Sequence, residues 1–238
     1  MVKLASSLDR LGTETAFEVL ARAARLEAQG RDIINLGIGQ PDFKTPEHIV
    51  EAAVKALRDG HHGYTPAQGI VSLREAVARD LARRHGVEVS PDNVVIMPGG
   101  KPTMFFSILM FGTPGTEIMY PDPGFPIYRS MIEYTGAKPV PIPLLEENGF
   151  AFTAEDVLSR ITPTTRLIII NSPGNPTGGA VPEDEIARLA TGLAAHPGVA
   201  LLSDEIYSQM LYDGRQHVSL LRYPEIKDQL IVLDGWSK

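Results

Sequence analysis

Cysteine is absent from the sequence, which excludes a disulfide framework and any thiolate metal site. Histidine is sparse, with six residues and none at a metal-ligating spacing such as H-E-x-x-H. His61 and His62 are adjacent in a Gly-flanked loop and read as solvent-exposed. No run approaches the roughly 20 apolar residues that a membrane span needs. The first ten residues carry Asp9 and Arg10 and lack the apolar core of a signal peptide. No basic block offsets the net charge of −7, which argues against nucleic acid or a membrane surface as partner. What is present is an ordinary globular composition, 43% hydrophobic and 21% charged over 238 residues, enough for one large domain or one and a half smaller ones. The expectation is a cytoplasmic protein.

Periodicity divides the chain in two. Glu14 to Gln29 has helical spacing and stops at Gly30, and Ile33–Ile38 is apolar and extended. Thr45 is expected to cap a helix with Pro46 at its first position, running to about Asp59, and a further helix spans Ile70 to His85 before Gly86. From there strand, loop and helix alternate. Strands are predicted at Val94–Met97, Glu117–Tyr120, Lys138–Ile142, Leu167–Ile170, Val199–Leu202 and Leu230–Leu233. Helices are predicted at Thr103–Phe111, Ile127–Tyr134, Ala154–Arg160 and Glu183–Ala194. Such alternation implies right-handed β-α-β crossovers and an α/β fold with a mostly parallel, doubly covered sheet. Its strands are apolar without alternation, as burial on both faces requires. In such sheets ligands sit beyond the carboxyl ends of the strands.

Five strand-end loops hold unusual residues. Pro98-Gly99-Gly100-Lys101-Pro102-Thr103 opens a helix, and its amides suit either an anion or a tight turn. Pro121 to Tyr128 is a rigid Pro/Gly turn presenting Phe125, a stacking platform or a core filler. Asn171-Ser-Pro-Gly-Asn-Pro-Thr-Gly178 is the most specific motif, and it holds the Asn175 amide above the sheet. Ser203-Asp-Glu-Ile-Tyr207 ends a buried strand with Asp204, costly to bury unless it meets a cation or several donors, and a core salt bridge is the alternative reading. Gly235-Trp-Ser-Lys238 puts a lysine after a buried strand, either a surface lysine or a Schiff-base amine.

In this order the elements resemble the class I/II, fold-type I pyridoxal-phosphate (PLP) aminotransferases, especially the bacterial aspartate-aminotransferase-like group. The matching residues are Gly37-Ile-Gly-Gln-Pro-Asp-Phe43, Tyr64-Thr-Pro-Ala-Gln-Gly69 with Leu73-Arg-Glu-Ala76, Gly99-Gly-Lys101, Asn171 to Gly178, Ser203 to Tyr207, and Ser237-Lys238. The resemblance runs from about Ile34 to Lys238. It implies that Lys238 forms a Schiff base with PLP and then shuttles a proton. It also implies that Asp204 pairs with the pyridine nitrogen, that Asn175 and Tyr207 bond the phenolic oxygen, and that Phe125 stacks on the ring. Gly100 and Lys101 would hold the phosphate through their amides. Gly39 and Asn175 would meet the substrate, and Tyr64 would reach the phosphate of a neighbouring subunit, implying a homodimer with shared active sites.

The implied reaction moves an amino group between an L-amino acid and a 2-oxo acid. Lys101 hints at acidic substrates, whereas Glu14 would repel them and leaves aromatic or broad specificity open. A PLP β-eliminating C–S lyase and a non-catalytic PLP-fold regulatory module are the alternatives. The sequence departs from the group at Pro102, Phe125 and Gly235, where many relatives have glutamine, Trp or Tyr, and in some a phosphate-binding serine. By the same resemblance, residues 1–45 belong to the small domain of relatives and residues 46–238 form an incomplete PLP-binding large domain. The chain is then expected to be truncated after the cofactor lysine, without the C-terminal domain.

Overall fold

A computed structural model of the chain describes residues 2–12, 15–37, 39 and 41–238. Three helices come first: α1 (Thr15–Ala28), α2 (Glu47–Arg58) and α3 (Val71–His85). They are followed by α4 (Gly100–Phe111), β1 (Glu117–Asp122), α5 (Ile127–Thr135), β2 (Lys138–Pro143), α6 (Ala154–Leu158), β3 (Thr165–Asn171), α7 (Glu183–Leu193), β4 (Ala200–Asp204) and β5 (Leu230–Leu233). The five strands form one sheet in the order β2-β1-β3-β4-β5, parallel throughout. From β1 the chain steps outward to β2, then returns to the other side of β1 for β3, β4 and β5. The reversal lies between β1 and β3, where the loops of a doubly wound sheet diverge and leave a crevice.

The expected α/β architecture is therefore present, with helices on both faces. Successive residues of β3 and β4 point to opposite sides. Ile168, Ile170 and Leu201 join Met119 and Ile142 against Val157, Ile186, Leu189 and Leu193 of α6 and α7. Leu167, Ile169 and Leu202 join Ile118 and Tyr120 against Met104, Ile108, Tyr128 and Ile132 of α4 and α5. Each fully buried Leu or Ile stabilises the fold by about 1.5–3 kcal/mol, so this two-sided core anchors the strand ends. The Thr153 capping box starts α6, and Glu185 accepts a bond from the Ala154 amide at 2.7 Å, tying α6 to α7. At the N-terminus Arg10 donates to the carbonyls of Glu133 and Tyr134, fastening the first turn of the chain to α5.

Three local expectations are corrected. Val94–Met97 is extended but pairs with no strand. Its β-branched residues have no neighbouring ladder to join, and Ile96 N–H bonds instead to the Gln68 carbonyl at 3.0 Å. Thr45 does not cap α2. Pro46 occupies that position with extended ψ and no side-chain bond, so the helix starts at Glu47. Helix α6 stops at Leu158 because Arg160 and Ile161 bond three residues back, to Val157 and Leu158, which tightens the chain into turns. His61 and His62 are exposed, as expected.

Candidate active site at the carboxyl ends of the strands

The parallel register sets the site. Asn171 lies opposite Asp204, and Asp204 opposite Leu233, so the last residues of β3, β4 and β5 form a row. Beyond this row lie the Asn171–Gly178 loop, the turn after Asp204 and the segment leading to Lys238.

Asp204 is buried, 2% exposed, and no basic side chain among the described residues is bonded to it. Its Oδ2 accepts the Tyr128 hydroxyl at 2.6 Å and its Oδ1 accepts the Ile206 amide at 3.3 Å. Burial pushes its pKa up to about 6, against the lowering pull of those two donors, and the nearby charges of Glu205 and Asp234 push the same way as burial. Tyr128 is raised well above the ordinary phenol value, by burial first and then by Asp204 beside it. The core salt bridge that the sequence left open is not what Asp204 makes. The carboxylate is held by neutral donors, an arrangement that favours a cation arriving from outside the chain.

Asn171 latches the neighbouring loop. Its Nδ2 donates to the Asp204 carbonyl at 2.9 Å and its Oδ1 accepts the Asn175 amide at 2.8 Å. The Asn175 side chain, half-buried, then donates to the Tyr207 hydroxyl at 3.2 Å. Burial raises the Tyr207 phenol, the bond from Asn175 opposes that, and Asp204 adds to the rise. The loop carries cis bonds at Ser172–Pro173 and Asn175–Pro176.

The other candidate residues flank this centre. Phe125, half-buried, meets the Tyr128 ring edge-on at 6.0 Å between centroids. Its turn requires Gly124, because a Cβ there would lie 2.1 Å from the Pro121 carbonyl oxygen. Gly100 opens α4, and Gly99 before it takes φ 89°, a left-handed value suited to glycine. Lys101 places its Nζ 5.8 Å from the centroid of Phe125. The Lys238 amine is exposed and donates to the Gly39 carbonyl at 3.3 Å, so these two expected residues meet although they lie far apart in sequence. No hydrogen bond joins Lys238 to Asp204, Asn175 or Tyr207. Tyr64 is fully exposed and stands apart from these residues' hydrogen bonds. Glu14, expected near the substrate, lies outside the described residues.

A sequence profile described as Aminotransferase class I and II matches residues 31–238. The chain belongs to this family. Among curated class I and II aminotransferases it is 37% identical, over all of its 238 residues, to the aspartate aminotransferase of Geobacillus stearothermophilus, of which it covers 60%. It is 41% identical over 196 residues to the probable aspartate/prephenate aminotransferase of Thermus aquaticus, covering 82% of this chain and 51% of that protein. Among solved aminotransferases, the Thermus thermophilus aspartate aminotransferase with maleate superposes with a TM-score of 0.93 at 35% identity, over all of this chain and 61% of that one. An alanine aminotransferase from Pyrococcus furiosus superposes with a TM-score of 0.90 at 31% identity, over 99% of this chain and 60% of that one. The chain thus spans about 60% of the length of the curated aminotransferases it matches end to end.

Some residues of this candidate site escape sequence reasoning. Tyr128 belongs to a motif that was legible, yet only the fold brings its hydroxyl across from α5 to Asp204 at the end of β4. Asn171 was read as part of a turn, and its latch depends on the β3–β4 register. Glu205, 3% exposed, accepts from Ser203, from the Leu220 amide and pairs with His217 at 2.8 Å. Burial alone would raise its pKa, but His217, Ser219 and Ser203 hold it below the usual value. Two adjacent buried acids are thus shifted in opposite directions, Asp204 upward and Glu205 downward. Among the described residues no cluster of acidic and histidine side chains is arranged for a metal ion, and no helix is long and apolar enough to cross a membrane.

Proposed function

We propose that the protein transfers an amino group between an L-amino acid and a 2-oxo acid with pyridoxal 5′-phosphate held at these strand ends. The observation that carries the reading is Asp204, a carboxylate buried at a strand terminus, bonded to neutral donors and raised to about 6. Such a side chain fits a cofactor whose ring nitrogen can hold a proton. An amide and a phenol, Asn175 and Tyr207, with an aromatic face nearby fit a flat heterocycle with a phenolic oxygen. When bound, the cofactor supplies an electrophilic carbonyl and an electron sink that makes the substrate α-carbon acidic.

The chain's own residues do the rest. Asp204 holds a proton at the ring nitrogen. Asn175 and Tyr207 hydrogen-bond the phenolic oxygen, Phe125 packs on the ring, and the amides of Gly100 and Lys101 hold the phosphate at the start of α4. The Lys238 amine would hold the cofactor and would move the proton at the substrate α-carbon. Gly39 admits the substrate through its backbone, with Asn175 beside it. The exposed Tyr64 supports a homodimer in which that phenol serves the partner's phosphate. The division at residue 45 and a cytoplasmic setting go with this reading.

Acidic substrates are the first choice within the class, because relatives at 35–37% identity are named aspartate or aspartate/prephenate aminotransferases and Lys101 flanks the site. The test uses the full-length protein with PLP and a panel of amino acids, following the cofactor's visible band and the oxo acid formed. Aspartate should bleach the band with oxaloacetate as product, and Lys238→Ala should abolish turnover. Release of pyruvate and ammonia from sulfur amino acids without transamination would overturn the proposal in favour of a lyase.

A further inference from the structure

Lys238 follows β5 on a segment without regular structure, and Trp236, Ser237 and Lys238 are exposed. Something must fix that segment if its amine is to work at one point. The described contacts offer a device in Asp234, four residues before the lysine. Its Oδ1 accepts the Gly235 amide at 2.8 Å, and its Oδ2 accepts the Arg84 guanidinium at 2.6 Å. Arg84 stands in the last turn of α3, 150 residues away, and its Nε is held by Asp80 at 2.8 Å. The side chains of Arg84 and Asp234 are 18% and 20% exposed, so this is a largely desolvated, charge-assisted pair rather than a surface contact. Nothing in the proposed chemistry uses either residue.

We infer that Arg84 is a positioning residue that, through Asp234, pins the segment carrying the Lys238 amine to helix α3. The inference rests on the proposed role of Lys238. It has an electrical side as well. Asp234 is among the charges that push Asp204 upward, and Arg84 offsets that charge. Loss of the guanidinium should therefore loosen the segment and shift the titration of groups around the ring.

The test compares Arg84→Gln, Arg84→Lys, Asp234→Asn and the double variant in full-length protein, with Arg83→Gln as control. Arg83 is the exposed neighbour that bonds to Asp80 on its own helix. Three readouts are taken: amide exchange over residues 234–238 without cofactor, the pH midpoint of the cofactor's visible band, and kcat against KM. Arg84→Gln and Asp234→Asn should each speed exchange in that segment, move the midpoint and lower kcat by about ten-fold, with the double variant no worse than either alone. Arg84→Lys should restore part of the loss, since it keeps the charge but not the fork. A lower melting temperature with exchange, midpoint and kcat unchanged would overturn the inference and leave Arg84 as a stability residue only. If wild type forms no visible band, the functional reading fails on its own, and faster exchange in Arg84→Gln would still support the pinning.

Discussion

The Tyr128 hydroxyl stands 2.6 Å from Oδ2 of Asp204, so the side chain donating to the buried acid comes from the first turn of helix α5. Both groups are buried, and each raises the pKa of, or is stabilised by, the other: the phenol holds its proton and the carboxylate is drawn toward ionisation. That relationship makes the ionic state of the site depend on where α5 places the Tyr128 side chain.

Tyr128→Phe should destabilise the cofactor-free protein at pH 8 by about 1.5–3 kcal/mol, the usual worth of a hydrogen bond to a charged group. The phenol lowers the Asp204 pKa in the folded state, so removing it raises that pKa further. The cost appears fully above it and shrinks as the carboxylate is protonated near pH 4. Urea melts at the two pH values measure the difference, and equal losses would show that the bond does not bias ionisation.

Asp204→Asn should have the opposite sign. The folded pKa of about 6 lies above the unfolded value of 3.8, so the folded chain is penalised as pH rises from about 4 to 6 and carries the full penalty above that. Without cofactor the variant should be more stable than wild type by roughly 2–3 kcal/mol at pH 8 and about equal at pH 4. With PLP and substrate it should lose turnover severely. Thermal melts of the cofactor-free protein across that range check the first part.

His217→Ala should remove one partner of Glu205 and leave the buried carboxylate to its bonds from Ser203 and the Leu220 amide, at a cost of about 1–3 kcal/mol at pH 7. Because Glu205 is held below its usual pKa, the stability it brings is present above the ordinary carboxylate range and fades as pH falls through the lowered value. Chemical denaturation at pH 7 and below pH 4 should show a large and then a small deficit.

Asn171→Ala should free the Asn175 amide and the Asp204 carbonyl together, costing about 1–3 kcal/mol for the stranded groups. It should weaken PLP affinity more than it lowers the melting temperature, because Asn175 loses the latch that aims it at Tyr207. Fluorescence titration with PLP separates the two effects.

Most of the architecture was legible because burial on both faces writes itself into the sequence as apolar runs. Five of the six expected strands form. The sixth, Val94–Met97, has the right residues but pairs with no strand among the described residues, and propensity alone does not make a ladder. The loops bearing Asp204, Asn175, Phe125 and Gly100 were legible because turn residues and polar groups interrupt strand ends. The partners Tyr128, Asn171 and Arg84 were not, since each depends on how elements meet across 33 to 150 residues.

The row formed by Asn171, Asp204 and Leu233 makes the spacing between acid and amine a matter of counting. Parallel ladders fix the rung on which each strand stops, and only five residues run from Leu233 to Lys238. Inserting or deleting a single residue in that stretch leaves the sheet intact and still carries the amine away from its proposed place. Tolerance to length change should therefore end abruptly at β5, even though the segment beyond it has no regular structure.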